Sequence, residues 1–177
     1  VQKAAYQAKT LEMYDLRIKY FGNEASVLNR KAFPAYKVYK GKKSKYSELM
    51  ELFEKTFTLN GTDFSTNNFV AYMDIVRRFK ATGGELSDEK VLDIYTRLMD
   101  VLDGKIASSS KPASLERVAK NMDKLLTLTI DLSCDYVESL LGPKLAETGD
   151  IKVASKIFKL MLQNKCTDRP LAFEAAK

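Results

Sequence analysis

The sequence contains no histidine and no tryptophan, and only 2 cysteines, 8 glycines and 4 prolines among its 177 residues. Without histidine, the chain lacks the usual general base near neutral pH, the commonest metal ligand and every triad that depends on an imidazole. Cys134 and Cys166 cannot complete a zinc site alone, and their spacing is not that of zinc ligands. Because a β-rich protein of this size would need more turn residues, the scarcity of glycine and proline favours helices joined by short loops.

Patterns that would indicate a nucleotide site or a membrane span are also missing. The sequence contains neither a G-x-G-x-x-G loop nor the G-K-[ST] ending of a phosphate-binding loop. No apolar run approaches the roughly 18 to 20 residues that cross a bilayer. Since no nucleophile motif is present either, we expect a binding protein rather than an enzyme, with no catalytic residue, no metal and no cofactor.

The composition is that of a folded protein with a modest excess of positive charge. The residues are 45% hydrophobic and 29% charged, so a core can form and disorder is not expected. The net charge of +6 is smaller than that of most dedicated nucleic-acid-binding proteins. A nucleic-acid partner is therefore not expected.

Apolar residues recur every three or four positions in nine segments, which predicts nine helices. We place these helices at about 3–21, from Ser26, 45–59, 66–81, 88–104, from Pro112, 135–147, 151–164 and from Asp168. The apolar stripe of the first helix ends at Phe21, and that of the second includes Tyr36 and Tyr39. Pro34 falls inside the second helix and predicts a kink or a later start, whereas Gly104 is expected to end the fifth helix.

Nine helices joined by short loops predict an all-α fold in which antiparallel helix pairs stack side by side as an α-α superhelix. We treat residues 1–177 as a single helical-repeat domain of the tetratricopeptide-repeat (TPR) type. Irregular hairpins occupy about 1–107, a serine-rich linker follows at about 108–112, and more regular hairpins occupy about 113–177.

The last part of the chain has the spacing of small and large residues that is typical of a TPR. The matching positions are Leu141, Gly142, Leu145, Ala154, Phe158 and Met161. Small residues such as Gly142 and Ala154 let two helices approach closely, and large ones such as Phe158 fill the space between hairpins. Leu145 stands where tyrosine is usual, so the match is degenerate.

Four longer blocks resemble a family of TPR proteins from Bacteroidetes. They are EMYDLRIKYFGNEASVLNRKAFPAYKVY, LDIYTRLMDVLDGKI, CDYVESLLGPKL and NKCTDRPLAFEAA. Members of that family are similar in an MYD-x-R-I-x-YFG opening, a C-[DE]-x-[LV] helix start and a K-x-CTDS-x-LF-x-[KE]-A segment. The chain departs from the family pattern at Pro34 and at Arg169, where serine is usual.

This resemblance implies an exported protein of the periplasm or cell envelope, without any chemistry that could be transferred residue by residue. The chain starts at Val1 and stops at Lys177 within an amphipathic run, which we interpret as a processed protein or an excised N-terminal or central portion. A stack of helix pairs offers a concave surface, so the leading prediction is a non-enzymatic scaffold for a protein or peptide that associates with envelope complexes.

The two cysteines, Cys134 and Cys166, each precede a predicted helix in successive hairpins. Neighbouring helix axes lie about 10 Å apart, whereas a disulfide needs Cα atoms within roughly 7 Å. Converging helix starts would allow a bridge, which an exported protein favours. The alternative is two buried or half-buried thiols.

A basic segment lies between the second and third helices and alternates with tyrosines. Its lysines are Lys37, Lys40, Lys42, Lys43 and Lys45. One interpretation is a polyanion- or glycan-binding envelope module, since cations and aromatic rings side by side suit an acidic partner. The other is a solvated loop whose tyrosines face the core.

Overall fold

The computed structural model describes residues 2–149 and 151–176, and all of their side chains except those of residues 140, 144, 148, 152, 153, 156 and 163. The described residues form nine α-helices and two 3-10 turns, with no strand among them. The α-helices are α1 Gln2–Phe21, α2 Glu24–Tyr39, α3 Tyr46–Asn60, α4 Thr66–Ala81, α5 Asp88–Ser108, α6 Ala113–Thr127, α7 Cys134–Thr148, α8 Ile151–Gln163 and α9 Pro170–Ala175. The 3-10 turns are η1 Lys43–Lys45 and η2 Gly61–Asp63.

Local residue chemistry explains where several of these helices begin and end. Gly22 and Asn23 both adopt positive φ angles between α1 and α2, a conformation in which a right-handed helix cannot continue. Ser87 caps α5 because its hydroxyl oxygen accepts the Lys90 backbone N–H at 3.2 Å. Ser133 caps α7 in the same way, accepting the N–H of Tyr136 at 3.3 Å.

The helices group into two compact units, one up to Thr129 and one from Ile130. In the first unit, α2 packs against α1, α3 and α4, and α6 packs against both α4 and α5. Successive helices are thus paired, and the even-numbered helices also lie side by side. This is the helical-repeat arrangement of stacked pairs, so the predicted all-α fold class is confirmed.

Aromatic rings fill the core of the first unit. Phe53 of α3 stacks on Tyr72 of α4 with ring centroids 5.3 Å apart, and Phe64 packs edge-on against Phe57 and Phe69. All five rings are buried. Each large ring removes 150–250 Å² of surface from water, so these contacts hold α3 and α4 together.

The second unit has a small core of its own. Helices α7, α8 and α9 pack against one another, and Val137, Ile157, Met161 and Leu171 are buried there. Among the described residues, no helix is both long enough and apolar enough to cross a bilayer.

Four local expectations were wrong. Phe21 is 83% exposed, and Phe158 is 37% exposed rather than buried between hairpins. Gly104 does not end α5, which continues to Ser108, because a single helical glycine costs only about 1 kcal/mol. Pro34 lies inside α2, which starts at Glu24, so the later start is wrong and the kink stays a prediction.

Candidate functional site

The most exposed apolar surface of the first unit lies along one side of α1. Tyr6, Met13, Tyr20 and Phe21 are 71%, 58%, 67% and 83% exposed, respectively. At 100° per residue, these four side chains project within one third of the helix circumference. We call this surface the open face of α1. Met13, Tyr20 and Phe21 line a shallow depression of about 800 Å³, together with Thr10, Tyr14, Leu16 and Arg17.

The opposite side of α1 attaches the helix to the rest of the unit. Leu11 is buried, and Asp15 forms an ion pair with Lys31 of α2. Glu12 and Asp15 line the groove between α1, α2 and α3. The acidic residues of α1 therefore lie away from its open face.

The open face of α1 carries positive charge only. Lys3, Lys9 and Arg17 project with the exposed rings by helical spacing, and none of the three forms an ion pair with a described residue. An exposed apolar stripe bordered by unpaired cations is suited to a partner surface that is apolar at its centre and acidic at its edges.

The predicted basic segment spans the end of α2, the turn η1 and the start of α3, and its ammonium groups lie over aromatic rings. Lys37 Nζ is 4.6 Å from the centroid of Phe33, and Lys40 Nζ is 5.4 Å from that of Tyr36. Lys42 and Lys45 both lie 5.4 Å from the ring centroid of Tyr39. These cation–π contacts hold the lysines close to the protein surface.

Of the tyrosines of the segment, Tyr36 and Tyr39 are half-buried and Tyr46 is buried. Tyr36 donates a hydrogen bond to Asp74 Oδ2 at 2.9 Å, and Tyr46 is buried and donates to the Lys40 carbonyl at 2.9 Å. Burial, followed by the hydrogen bond to Asp74, raises the pKa of Tyr36 to about 12, so its hydroxyl stays protonated. Lys43 is exposed.

A polar cleft of about 680 Å³ opens beside α2 at the beginning of α4. Asn29 shapes it, because its Oδ1 accepts the Ser65 N–H at 2.8 Å while its Nδ2 donates to the Asp63 carbonyl at 2.9 Å. Arg30 of α2 and Lys105 of α5 line the cleft. Sequence reasoning missed this cleft because its two cations lie on different helices, far apart along the chain.

In the second unit, Cys134 and Cys166 are joined by a disulfide with their Cα atoms 5.5 Å apart. Cys166 is completely buried. Arg169, close to the bridge in sequence, reaches back to α7 and lies 3.0 Å from Asp135 Oδ1. The start of α7 and the segment before α9 therefore converge, as a bridge requires.

No constellation for metal or acid–base chemistry is found in the described part of the chain. No three side chains of the metal-binding types come together there. The carboxylates with clearly lowered pKa values, Glu54 and Asp74, are each hydrogen-bonded to arginine, as is typical of structural ion pairs.

Comparison with known proteins adds no relative to this description. No family model, no curated protein and no solved structure matches the chain.

Proposed function

We propose that this chain is a non-enzymatic scaffold that binds an amphipathic helix of a partner protein along the open face of α1. The observation that carries the proposal is the exposure of Tyr6, Met13, Tyr20 and Phe21 on one side of a single helix. A contiguous apolar surface of this kind marks an interaction site more often than chance exposure does. Large aromatic side chains and methionine are also the residues enriched at protein interfaces.

The length and spacing of the open face favour a helical occupant. From Tyr6 to Phe21 the face extends about 22 Å at 1.5 Å per residue, which is about four turns of a second helix. Side chains at steps of three and four residues interdigitate with those of another helix. The partner helix would place apolar residues at the same steps.

The charge on the open face predicts which residues lie beside the apolar positions of the partner helix. Lys3 and Lys9 border the apolar stripe and Arg17 lies among its exposed rings, while Glu12 and Asp15 line the groove on the other side of α1. Complementary charge would speed association and fix the orientation of the bound helix. We therefore expect Asp or Glu next to the apolar positions of the partner.

The cellular setting belongs to the same proposal. We propose a location in the periplasm or cell envelope, as the resemblance to Bacteroidetes TPR proteins implies. The disulfide between Cys134 and Cys166 supports this location, because disulfides persist in oxidising compartments.

The test uses three synthetic amphipathic helices that share one apolar face and differ only in acidic, neutral or basic flanks. Fluorescence anisotropy with the full chain should give the tightest binding for the acidic helix, by roughly tenfold over the basic one. Met13→Glu together with Tyr20→Glu should abolish binding, because both changes put charge into the apolar stripe. Leu59→Glu is the matched control, since Leu59 is an exposed apolar residue of α3 at 44%.

Three results would contradict the proposal. Equal binding of the acidic and basic helices would show that the cations of the open face do not select the partner. An equal loss of binding with Leu59→Glu would show that the effect is not specific to the open face. Concentration-dependent dimerisation that is lost in the Met13→Glu, Tyr20→Glu variant would identify a second copy of the chain as the occupant. Sedimentation velocity measures that third outcome.

A further inference from the structure

A row of cations and aromatic rings follows the outer side of α2 and joins the basic segment to the polar cleft. Phe33 lines the cleft, lies under the Lys37 ammonium at 4.6 Å and stacks on Tyr36 with centroids 6.2 Å apart. Tyr36 in turn lies under Lys40 at 5.4 Å. Arg30, one turn before Phe33, lines the same cleft. We call this row, from Arg30 to Lys43, the α2 track.

Most of the positive charge of the α2 track is uncompensated. Lys45 pairs with Glu48 at 2.5 Å, but no carboxylate among the described residues forms an ion pair with Arg30, Lys37, Lys40, Lys42 or Lys43. Arg77 and Arg78, which lie next to Tyr36, are both bound to Asp74 and contribute little free charge. These five cations make the surface strongly positive in a chain whose net charge is +6.

The cleft adds directed hydrogen-bonding groups to the end of the track. Ser65 occupies the N-cap position of α4, yet its hydroxyl forms no capping hydrogen bond. The Asn68 N–H donates to the Ser65 carbonyl at 2.9 Å, so the N–H groups of Thr66 and Asn67 are the first ones without a helical acceptor. The hydroxyls of Ser26 and Thr66 and the amide of Asn67 line the same space. Lys105 supplies a second cation, and Asp63 is the one carboxylate among the lining residues.

The backbone carbonyl of Arg30 extends this polar surface. A proline inside a helix has no N–H to donate to the carbonyl four residues earlier. Pro34 therefore leaves the Arg30 carbonyl without its helical donor, and both residues line the cleft. The cleft thus offers donors, acceptors and two cations to the same ligand.

From these observations we infer that the α2 track and its cleft bind an acidic polysaccharide. Carboxylate or sulfate groups pair with the row of ammonium groups, and a sugar unit enters the cleft, where its hydroxyls meet Ser26, Thr66 and Asn67. Single-stranded nucleic acid fits less well, because Phe33, Tyr36 and Tyr39 are half-buried and already carry an ammonium group over the ring. Stacking of bases needs open ring faces.

The experiment measures binding of the full chain to defined oligosaccharides by calorimetry. The probes are a sulfated heparin oligosaccharide, a carboxylated oligogalacturonate and a neutral dextran oligosaccharide of equal length. Both acidic probes should bind, with affinity falling steeply as salt is added, and dextran should not. Lys37→Gln with Lys40→Gln tests the track, and Arg30→Gln with Lys105→Gln tests the cleft.

Each of these double variants should weaken binding of the acidic probes by roughly tenfold, since each removes two of the cations that face the ligand. Lys120→Gln with Lys124→Gln is the matched control, because both lysines are exposed on α6 and the change in net charge is identical. The control should bind as the unchanged protein does. Circular dichroism of each variant verifies that its helices are intact.

Several outcomes would overturn the inference. If the α6 control weakens binding of the acidic probes equally, net charge alone explains the effect. If the cleft variant does not weaken binding, the cleft is not part of the binding site. Single-stranded DNA or polyglutamate that binds as tightly as the acidic sugars would identify another class of ligand. The Met13→Glu, Tyr20→Glu variant should bind the sugars normally, so this inference and the proposed function fail independently.

Discussion

At the scale of single residues, Asp74 is a nearly buried carboxylate that connects α4 to α2. Arg77 donates to its Oδ1 at 2.9 Å, and Arg78 and Tyr36 donate to its Oδ2 at 2.5 and 2.9 Å. Burial pushes the pKa of Asp74 upward, but the hydrogen bonds from Arg78, Arg77 and Tyr36 outweigh it and hold the pKa below its usual value. The ionised form is therefore the one that stabilises the fold.

Asp74→Asn should lower the free energy of unfolding by about 2 kcal/mol at pH 7, because two arginines and a tyrosine lose a charged acceptor. A carboxyl with a lowered folded-state pKa contributes stability above its unfolded pKa of about 3.9, and loses it as pH falls through the folded value. The difference between the variant and the unchanged protein should therefore shrink at pH 3. Urea unfolding at both pH values measures it.

The exposed ion pair between Asp15 and Lys31 supplies the control for this experiment. The Asp15 side chain is 59% exposed, so Asp15→Asn should change the free energy of unfolding by less than about 1 kcal/mol. If Asp74→Asn lowers the free energy of unfolding as much at pH 3 as at pH 7, the charge of Asp74 is not responsible for the effect.

The Asp74 network also illustrates what the sequence could not predict at this scale. Helical periodicity predicts that Phe69, Met73, Val76 and Phe79 of α4 face inward. The first three are buried and Phe79 is half-buried. Periodicity did not predict a carboxylate among them, because the hydrogen-bond partner Tyr36 lies on another helix. Side-chain pairing across helices depends on tertiary packing, which periodicity does not encode.

At the scale of the elements, most helix positions were predicted well, but the end of α5 was not. Gly104 lies within α5 and was expected to end it, yet a Cβ atom at this position would meet nothing within 4 Å. Gly104→Ala should therefore raise the free energy of unfolding by about 0.5–1 kcal/mol, since alanine loses less backbone entropy in a helix. Thermal unfolding followed by circular dichroism measures the change.

Gly83 is the matched control because its φ of +88° lies in the region that side chains rarely adopt. Gly83→Ala should destabilise the protein, although the added methyl group also has open space around it. Equal effects of the two substitutions would mean that backbone conformation does not decide the outcome.

Helix α1 shows why an open face is harder to predict than a helix. Periodicity assigned one stripe of α1, Leu11, Tyr14, Ile18 and Phe21, to the core. The structure buries Leu11 but leaves Phe21 exposed. Periodicity identifies an apolar side but does not say how much of it a neighbouring helix covers, and among the described helices α1 packs mainly against α2.

At the scale of the whole molecule, composition and loop lengths predicted the all-α class, because scarce glycine and proline left few alternatives. The division after Thr129 has a different origin. Helix α6 packs on α4 and α5, although the serine-rich linker before it had grouped it with the later hairpins. A linker marks a flexible connection, whereas a boundary between units is set by which helices share a core.

The second unit is short, and a chain of its size buries a smaller share of its surface than a large domain does. Its disulfide, which spans 32 residues between Cys134 and Cys166, should therefore be a major part of its stability. Closing a loop of this length stabilises by about 3–4 kcal/mol in the chain-entropy description. Cys134→Ser with Cys166→Ser should remove that contribution from residues 130–176 and leave the core around Phe53 and Tyr72 unchanged.

Hydrogen exchange followed by mass spectrometry distinguishes the two units in one experiment. In the double-serine variant, peptides from α7, α8 and α9 should lose protection, whereas peptides from α3 and α4 should exchange as in the oxidised protein. Reduction of the unchanged protein should give the same pattern, and alkylation verifies that both thiols are free only after reduction.

Unchanged protection of α7 and α8 would mean that the buried Val137, Ile157 and Met161 hold this unit together without the bridge. A loss of protection in α3 and α4 as well would mean that the two units fold as one.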